Sequence, residues 1–84
     1  MNNVIMRKVT VTSAYAPLVA ESVVGTFTIS CPPSNSGPVN FLGDDGSDVP
    51  WIPSEWNIFK HIDLHTIQVK GTVGDKITVV GGTW

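Results

Sequence analysis

The sequence predicts an all-β fold, a small antiparallel β-sandwich or jelly-roll-like barrel of six to seven short strands. Three observations carry that expectation. Valine, isoleucine and threonine supply 27 of the 84 residues while alanine and leucine together supply six, and β-branched side chains suit a pleated surface better than a helix. Apolar residues return at every second position in several segments, the period of a strand with one buried face. Turn formers separate those segments at intervals of roughly 8 to 12 residues, the spacing of a sandwich or barrel. A chain of this length makes one modest core, so residues 1–84 are expected to form a single domain, with 1–6 and 81–84 as arms that touch neighbouring molecules.

From Arg7 to Thr12 the valines 9 and 11 alternate with Lys8, Thr10 and Thr12, which predicts a first strand. Tyr15-Ala16-Pro17-Leu18 interrupts it as a turn, because proline fixes its own φ and restricts the residue before it. Ser22 to Cys31 is the clearest strand: Val23, Phe27, Ile29 and Cys31 share one face with Gly25, where a bulge or a close backbone approach is expected. Pro32-Pro33 ends it. Val39 to Leu42 and Val49 to Trp51 predict a hairpin whose second arm, carrying Pro50, lies at a sheet edge. After Trp56 the apolar positions are even (Ile58, Ile62, Leu64) and then odd (Ile67, Val69), so a break in register is expected near His61 to His65, read as a loop. Ile67 to Lys70 and Lys76 to Val79, around Gly71-Thr72-Val73-Gly74-Asp75, read as a further hairpin.

Composition narrows the function classes. Charged residues are 14% of the chain and the formal net charge is −2, so no basic stripe is available for nucleic acid. The first eight residues reverse the order of a secretory signal, and no apolar run approaches the roughly 18 to 20 residues that cross a bilayer. A soluble, unexported chain without a membrane partner is expected. Cys31 has no second cysteine, which excludes an internal disulfide and predicts a buried, packing role.

No residue set supports catalysis. His61 and His65 stand four apart, a metal-ligand spacing on a helix, but the segment between them lacks helical character and no third ligand follows at a suitable distance. Even with Asp63 they read as loop and surface histidines and no metal is expected, since only a subunit interface could complete a ligand set. Asp44-Asp45-Gly46-Ser47-Asp48 lacks the register and closing glutamate of an EF-hand and reads as a solvated turn. No serine or cysteine sits in a nucleophile elbow, and Gly71-Thr72-Val73-Gly74 precedes a strand rather than the helix a phosphate loop needs. No cofactor is expected.

Binding candidates are aromatic or apolar. Trp51 and Trp56 bracket a Pro-containing turn and read either as caps of the core or as exposed platforms. Val24 and Val80 occupy otherwise polar strand faces, and Trp84 lies beyond the last strand, so apolar surface exceeds what one small core hides. These five residues are the expected contacts with other subunits.

The order Val49-Pro50-Trp51-Ile52-Pro53-Ser54-Glu55-Trp56, then Ile62-Asp63-Leu64-His65-Thr66-Ile67-Gln68-Val69-Lys70-Gly71, then Gly74-Asp75-Lys76-Ile77-Thr78-Val79-Val80-Gly81 resembles that of small β-sandwich virion proteins of tailed bacteriophages. The resemblance spans most residues from Val9 to Gly81 and consists of strands and turns rather than a catalytic signature. It departs from the pattern at Trp51, Trp56 and Phe59, where smaller or polar residues are common. It implies a non-enzymatic capsid decoration or cement subunit, made in the host cytoplasm and carried in the virion. The implied partners are the major capsid protein, other virion proteins and further copies of the chain, often as a trimer. A host-surface or carbohydrate-binding module of a tail or head fibre, with Trp51 and Trp56 stacking on sugar rings, is the alternative. A small hydrolase or metal enzyme using His61, His65 and the acidic loop is a third, weaker reading.

Overall fold

The computed structural model describes residues 4–83 and contains two four-stranded antiparallel sheets packed face to face. The strands are β1 (Val4–Thr10), β2 (Ala16–Pro17), β3 (Val24–Ser30), β4 (Val39–Leu42), β5 (Asp48–Trp51), β6 (Trp56–Asp63), β7 (Gln68–Lys70) and β8 (Lys76–Gly82), with one 3-10 turn at Leu64–Thr66. One sheet has the order β1-β8-β3-β6 and the other β2-β7-β4-β5. Each keeps two free edges, so the expected barrel alternative is replaced by an open sandwich. The strand count is eight rather than six to seven. The additional strand is the two-residue β2, placed within a segment whose proline reads as a turn.

The pairing follows one rule: β1 meets β8, β2 meets β7, β3 meets β6 and β4 meets β5, so the first half of the chain lies antiparallel against the second half. Further ladders, β3 on β8 and β4 on β7, complete the two sheets. This arrangement corrects the expected hairpin between Ile67–Lys70 and Lys76–Val79. Strands β7 and β8 belong to different sheets, and the turn closed by Asp75 N–H on the Thr72 carbonyl (3.0 Å) carries the chain from one layer to the other. Alternation shows which side chains face the core, and Val69, Ile77 and Val79 all do; it does not show which strand is the hydrogen-bonded neighbour. The segments read as arms also pair, Val4 opposite Gly82, Ile5 opposite Gly81 and Met6 opposite Val80.

The stretch His61 to His65, read as a loop, is instead the end of β6 and the 3-10 turn Leu64–Thr66, which makes the even-to-odd change between Leu64 and Ile67, and a separate irregularity lies inside β6. Gly25 pairs with Ile62 and Phe27 with Phe59, so Thr26 faces two residues, Lys60 and His61, in a β-bulge. His61 has a φ of 53°, the left-handed region a bulge residue often occupies. The bulge switches the inward parity. Phe59 points inward before it and Ile62 after it, while Trp56 and Ile58, expected inward in the case of Ile58, point outward and are more than half exposed.

Thirteen buried apolar residues fill the space between the sheets, among them Val11, Phe27, Ile29, Cys31, Leu64, Ile77 and Val79. Trp51 stacks on Phe41 with centroids 3.9 Å apart and lies parallel to Phe59 of the facing sheet at 6.3 Å, which ties β5 to β6 across the sandwich. Gly25 and Gly81 mark where β3 and β8 approach most closely. A Cβ on Gly25 would stand 2.1 Å from the Gly82 carbonyl oxygen, and one on Gly81 equally close to that of Thr26.

Beyond the end of the β3 to β8 ladder, the Asn35 side chain takes the place of a strand. Its Nδ2 donates to the Lys76 carbonyl (2.7 Å) and to Cys31 Sγ (3.1 Å), and its Oδ1 accepts from Lys76 N–H (2.8 Å). Both peptide groups of Lys76 are thereby satisfied as a neighbouring backbone would satisfy them. Ser36 N–H and Oγ donate to the carboxylate of the adjacent Asp75. Asn35→Ala is expected to cost about 2 kcal/mol in urea unfolding, because it leaves the partly buried N–H and C=O of Lys76 without their partner; Asn35→Asp, which loses the Nδ2 donor, is expected to lose stability as well.

Candidate interaction surface

Outward side chains of the β1-β8-β3-β6 sheet are set by the register. Met6 lies opposite Val80, Val80 opposite Thr28 and Thr28 opposite Ile58, so one row crosses all four strands with three large apolar side chains and a threonine. The next row is Lys8, Thr78, Ser30 and Trp56. Val4 and Val24 belong to the same face. Exposures are 69% for Val4, 71% for Met6, 56% for Val24, 59% for Trp56, 56% for Ile58 and 49% for Val80. Among the described residues, six of the ten exposed large apolar side chains thus gather on one sheet face rather than being scattered.

Of the expected contact residues, Val24, Val80 and Trp56 lie on this face. Trp51 does not. It is 5% exposed, enclosed by Phe41 and Phe59, so its ring is closed to ligands and cannot share a platform with Trp56. Trp84 lies outside the described residues. Val4 and Met6 fall within the 1–6 segment expected as a contacting arm but were not among the named contact residues, and neither was Ile58. Met6 and Val4 become part of the surface only through pairing with the distant β8, and Ile58 only through the bulge that reverses its parity.

The face is also cationic. Lys8, Lys76 and Lys60 point outward from β1, β8 and β6, whereas the carboxylate on this side, Asp63, is engaged by Ser22 Oγ (2.5 Å) and by the N–H groups of Val23 (3.0 Å) and His65 (3.0 Å). The Ser22 hydroxyl first, and then the His65 N–H, hold the Asp63 carboxyl below the usual carboxylate range. Asp63 also caps the 3-10 turn that follows.

The outer face of the second sheet differs in character. Tyr15 donates its hydroxyl to Asp48, Lys70 Nζ stands 3.7 Å from the same carboxylate, and that ammonium lies 4.7 Å from the Tyr15 ring centre. The hydrogen bond to Asp48, with desolvation and the nearby negative charge, pushes the Tyr15 hydroxyl up to about 12. An open groove of about 280 Å³ beside this cluster is lined by Ser13, Pro38, Asn40, Lys70, Gly71 and Thr72.

His61 sits exposed on the bulge, and His65 places Nδ1 3.0 Å from the Val19 carbonyl. Among the described residues no three His, Cys, Asp or Glu side chains converge as metal ligands, and no helix is long and apolar enough to cross a membrane. The chain matches no protein-family model, no curated protein and no solved structure.

Trp51→Ala is expected to destabilise the protein by roughly 3 to 5 kcal/mol in denaturant unfolding, whereas Trp56→Ala, on the exposed face, changes stability by less than about 0.5 kcal/mol. Stability also depends on the charge of Asp63. Its folded-state pKa is depressed, so its contribution is present above the unfolded value of about 3.9 and disappears as pH falls through the lower folded value. The difference in melting temperature between the parent and Asp63→Asn, measured calorimetrically, is expected to be largest near neutral pH and to close below about pH 4.

Proposed function

We propose that this chain is a non-enzymatic structural subunit of a virion, a capsid decoration or cement protein that packs against the major capsid protein and against its own copies. The observation that carries this reading is the concentration of Met6, Val80, Ile58, Trp56, Val4 and Val24 on one exposed sheet face. Apolar surface at about 25 cal/mol per Å² favours burial, and a subunit held at many symmetric positions gains collective stability from individually weak contacts. Cementing a shell needs such surfaces and no chemistry. The strand orders β1-β8-β3-β6 and β2-β7-β4-β5 support the finer reading of the sandwich as a jelly roll, an architecture shared by viral capsid and lectin domains. Fold alone does not assign a role; the exposed face and the resemblance in strand and turn order together favour the virion.

A second reading, a carbohydrate-binding module of a tail or head fibre, is favoured by the exposed Trp56 ring, while the groove at Ser13, Asn40, Lys70 and Thr72 lies on the other sheet and would be a separate site. The burial of Trp51 removes the paired platform that reading first relied on.

Mass spectrometry of virions purified from the host that carries this gene is the direct test. The chain is expected in a fixed ratio to the major capsid protein, and its absence rejects the proposal. Glycan-array binding that disappears in Trp56→Ala favours the second reading instead.

A further inference from the structure

We infer that the lysine-bearing corner of the β1-β8-β3-β6 face receives the acidic tip of the β4–β5 hairpin from a second copy of the chain. The inference rests on the structural-subunit reading and names the contact such a subunit makes with its own kind. Lys8 faces outward opposite Thr78, and Lys76 projects two residues along β8 on the same side, beside the apolar row of Met6 and Val80. Residues diagonal to one another in this way stand roughly 7 to 8 Å apart, so the two ammonium groups form one cationic corner. Among the described residues the outward carboxylate of this face, Asp63, lies opposite Val24 at the other end of β3 from the row of Lys8, Thr78 and Ser30, where it is held by Ser22, Val23 and His65. An occupant that brings acids complements that corner.

The chain carries such an occupant. Asp44 and Asp45 stand exposed at the turn between β4 and β5, with Leu42 37% exposed beside them. The turn is rigid: Gly43 N–H donates to the Ser47 carbonyl (2.8 Å), Gly46 N–H to the Gly43 carbonyl (3.0 Å), and Ser47 N–H and Oγ to Asp45 Oδ1 (3.0 and 2.6 Å). The Ser47 hydroxyl and N–H hold the Asp45 carboxyl below its ordinary range, so it stays ionised in mild acid. Its neighbour Asp48 is occupied by Lys70 and Tyr15, which leaves Asp44 and Asp45 as the unneutralised pair at the tip.

Position makes the contact intermolecular. β1 is one outer strand of its sheet, and β5 is an outer strand of the other, stacked through Trp51 on Phe59 of β6, the far edge from β1. The basic corner and the acidic tip are therefore on opposite flanks, and a molecule cannot place its own tip on its own corner. Contacts of this head-to-tail kind close into rings or extend into lattices. Four strands about 4.8 Å apart and seven residues long give a face of roughly 450 Å² in projection, below the roughly 800 Å² per partner of a stable complex. Each contact is weak, and association appears at high concentration.

The test is sedimentation velocity of the purified protein at high concentration, in about 0.1 M and about 1 M salt, between which the screening length falls from about 10 Å to about 3 Å. The parent is expected to associate at low salt and dissociate at high salt. Asp44→Lys/Asp45→Lys and Lys8→Glu/Lys76→Glu are each expected to weaken self-association about tenfold or more. An equimolar mixture of the two is expected to restore it, because the reversed tip then meets the reversed corner. Melting temperatures check that both variants fold; if Lys76→Glu disturbs the fold through its bond to Thr10, Lys8→Glu alone replaces the pair. A parent that remains monomeric at low salt, association indifferent to both reversals, or a mixture that fails to recover overturns the inference. Binding to vesicles of phosphatidylglycerol and phosphatidylcholine that Lys8→Glu abolishes, without self-association, replaces it with a membrane contact. Presence in virions with a monomeric purified protein sinks this inference alone, whereas salt-dependent association with absence from virions sinks the virion reading alone.

Discussion

Only half of each strand is available to build a core here, because neighbouring side chains on a strand point to opposite faces. Two short sheets must therefore bury enough through alternate positions to hold 84 residues together. Thirteen apolar residues do this, and the largest of them form a layered contact in which Trp51 lies between Phe41 of its own sheet and Phe59 of the other. The bulge at Lys60 and His61 belongs to the same constraint. Without the extra residue, Phe59 and Ile62 could not both face inward, and β6 could not present Trp56 and Ile58 outward while contributing to the core at both ends.

Features set by local chemistry were legible in the sequence. The alternating face from Val23 to Cys31, the hairpin around Gly43 to Ser47 with Pro50 on an edge strand, and the close approach at Gly25 all follow from side-chain period or from residues that cannot act otherwise. Features set by distant pairing were not. Nothing between Ile67 and Val79 distinguishes a hairpin from a turn that changes sheets, since inward valines and isoleucines serve both. Pro17 concealed the small β2, and the bulge was hidden because Ile58 and Ile62, on either side of it, share even parity, whereas the even-to-odd shift in the sequence falls between Leu64 and Ile67, at the 3-10 turn. The interaction surface was half legible for the same reason: Val24 and Val80 break a polar pattern locally, whereas Met6 gains its meaning only beside Val80.

The two outer faces contrast in a way that bears on the proposed role. One is an apolar and hydroxyl-rich plane edged by lysines; the other carries the Tyr15, Asp48 and Lys70 cluster and a polar groove. A subunit with such unlike sides has a direction, and a directed subunit suits a shell whose inside and outside differ. The edges are protected as well. Pro17 and Pro50 interrupt β2 and β5, the bulge distorts β6, and Arg7 and Lys8 charge β1, so runaway edge-to-edge pairing is disfavoured and contacts are steered to the faces.

Strand β8 lies between β1 and β3, an interior position filled by a strand more than sixty residues along the chain from β1. Until Lys76 to Gly82 have left the ribosome, β1 has no hydrogen-bonded partner and Ile77 and Val79 are missing from the core. The sheet that carries the exposed apolar face is thus joined only when β8 is made: a product truncated before it can still pair β3 with β6 and assemble β2-β7-β4-β5, but leaves β1 unpaired.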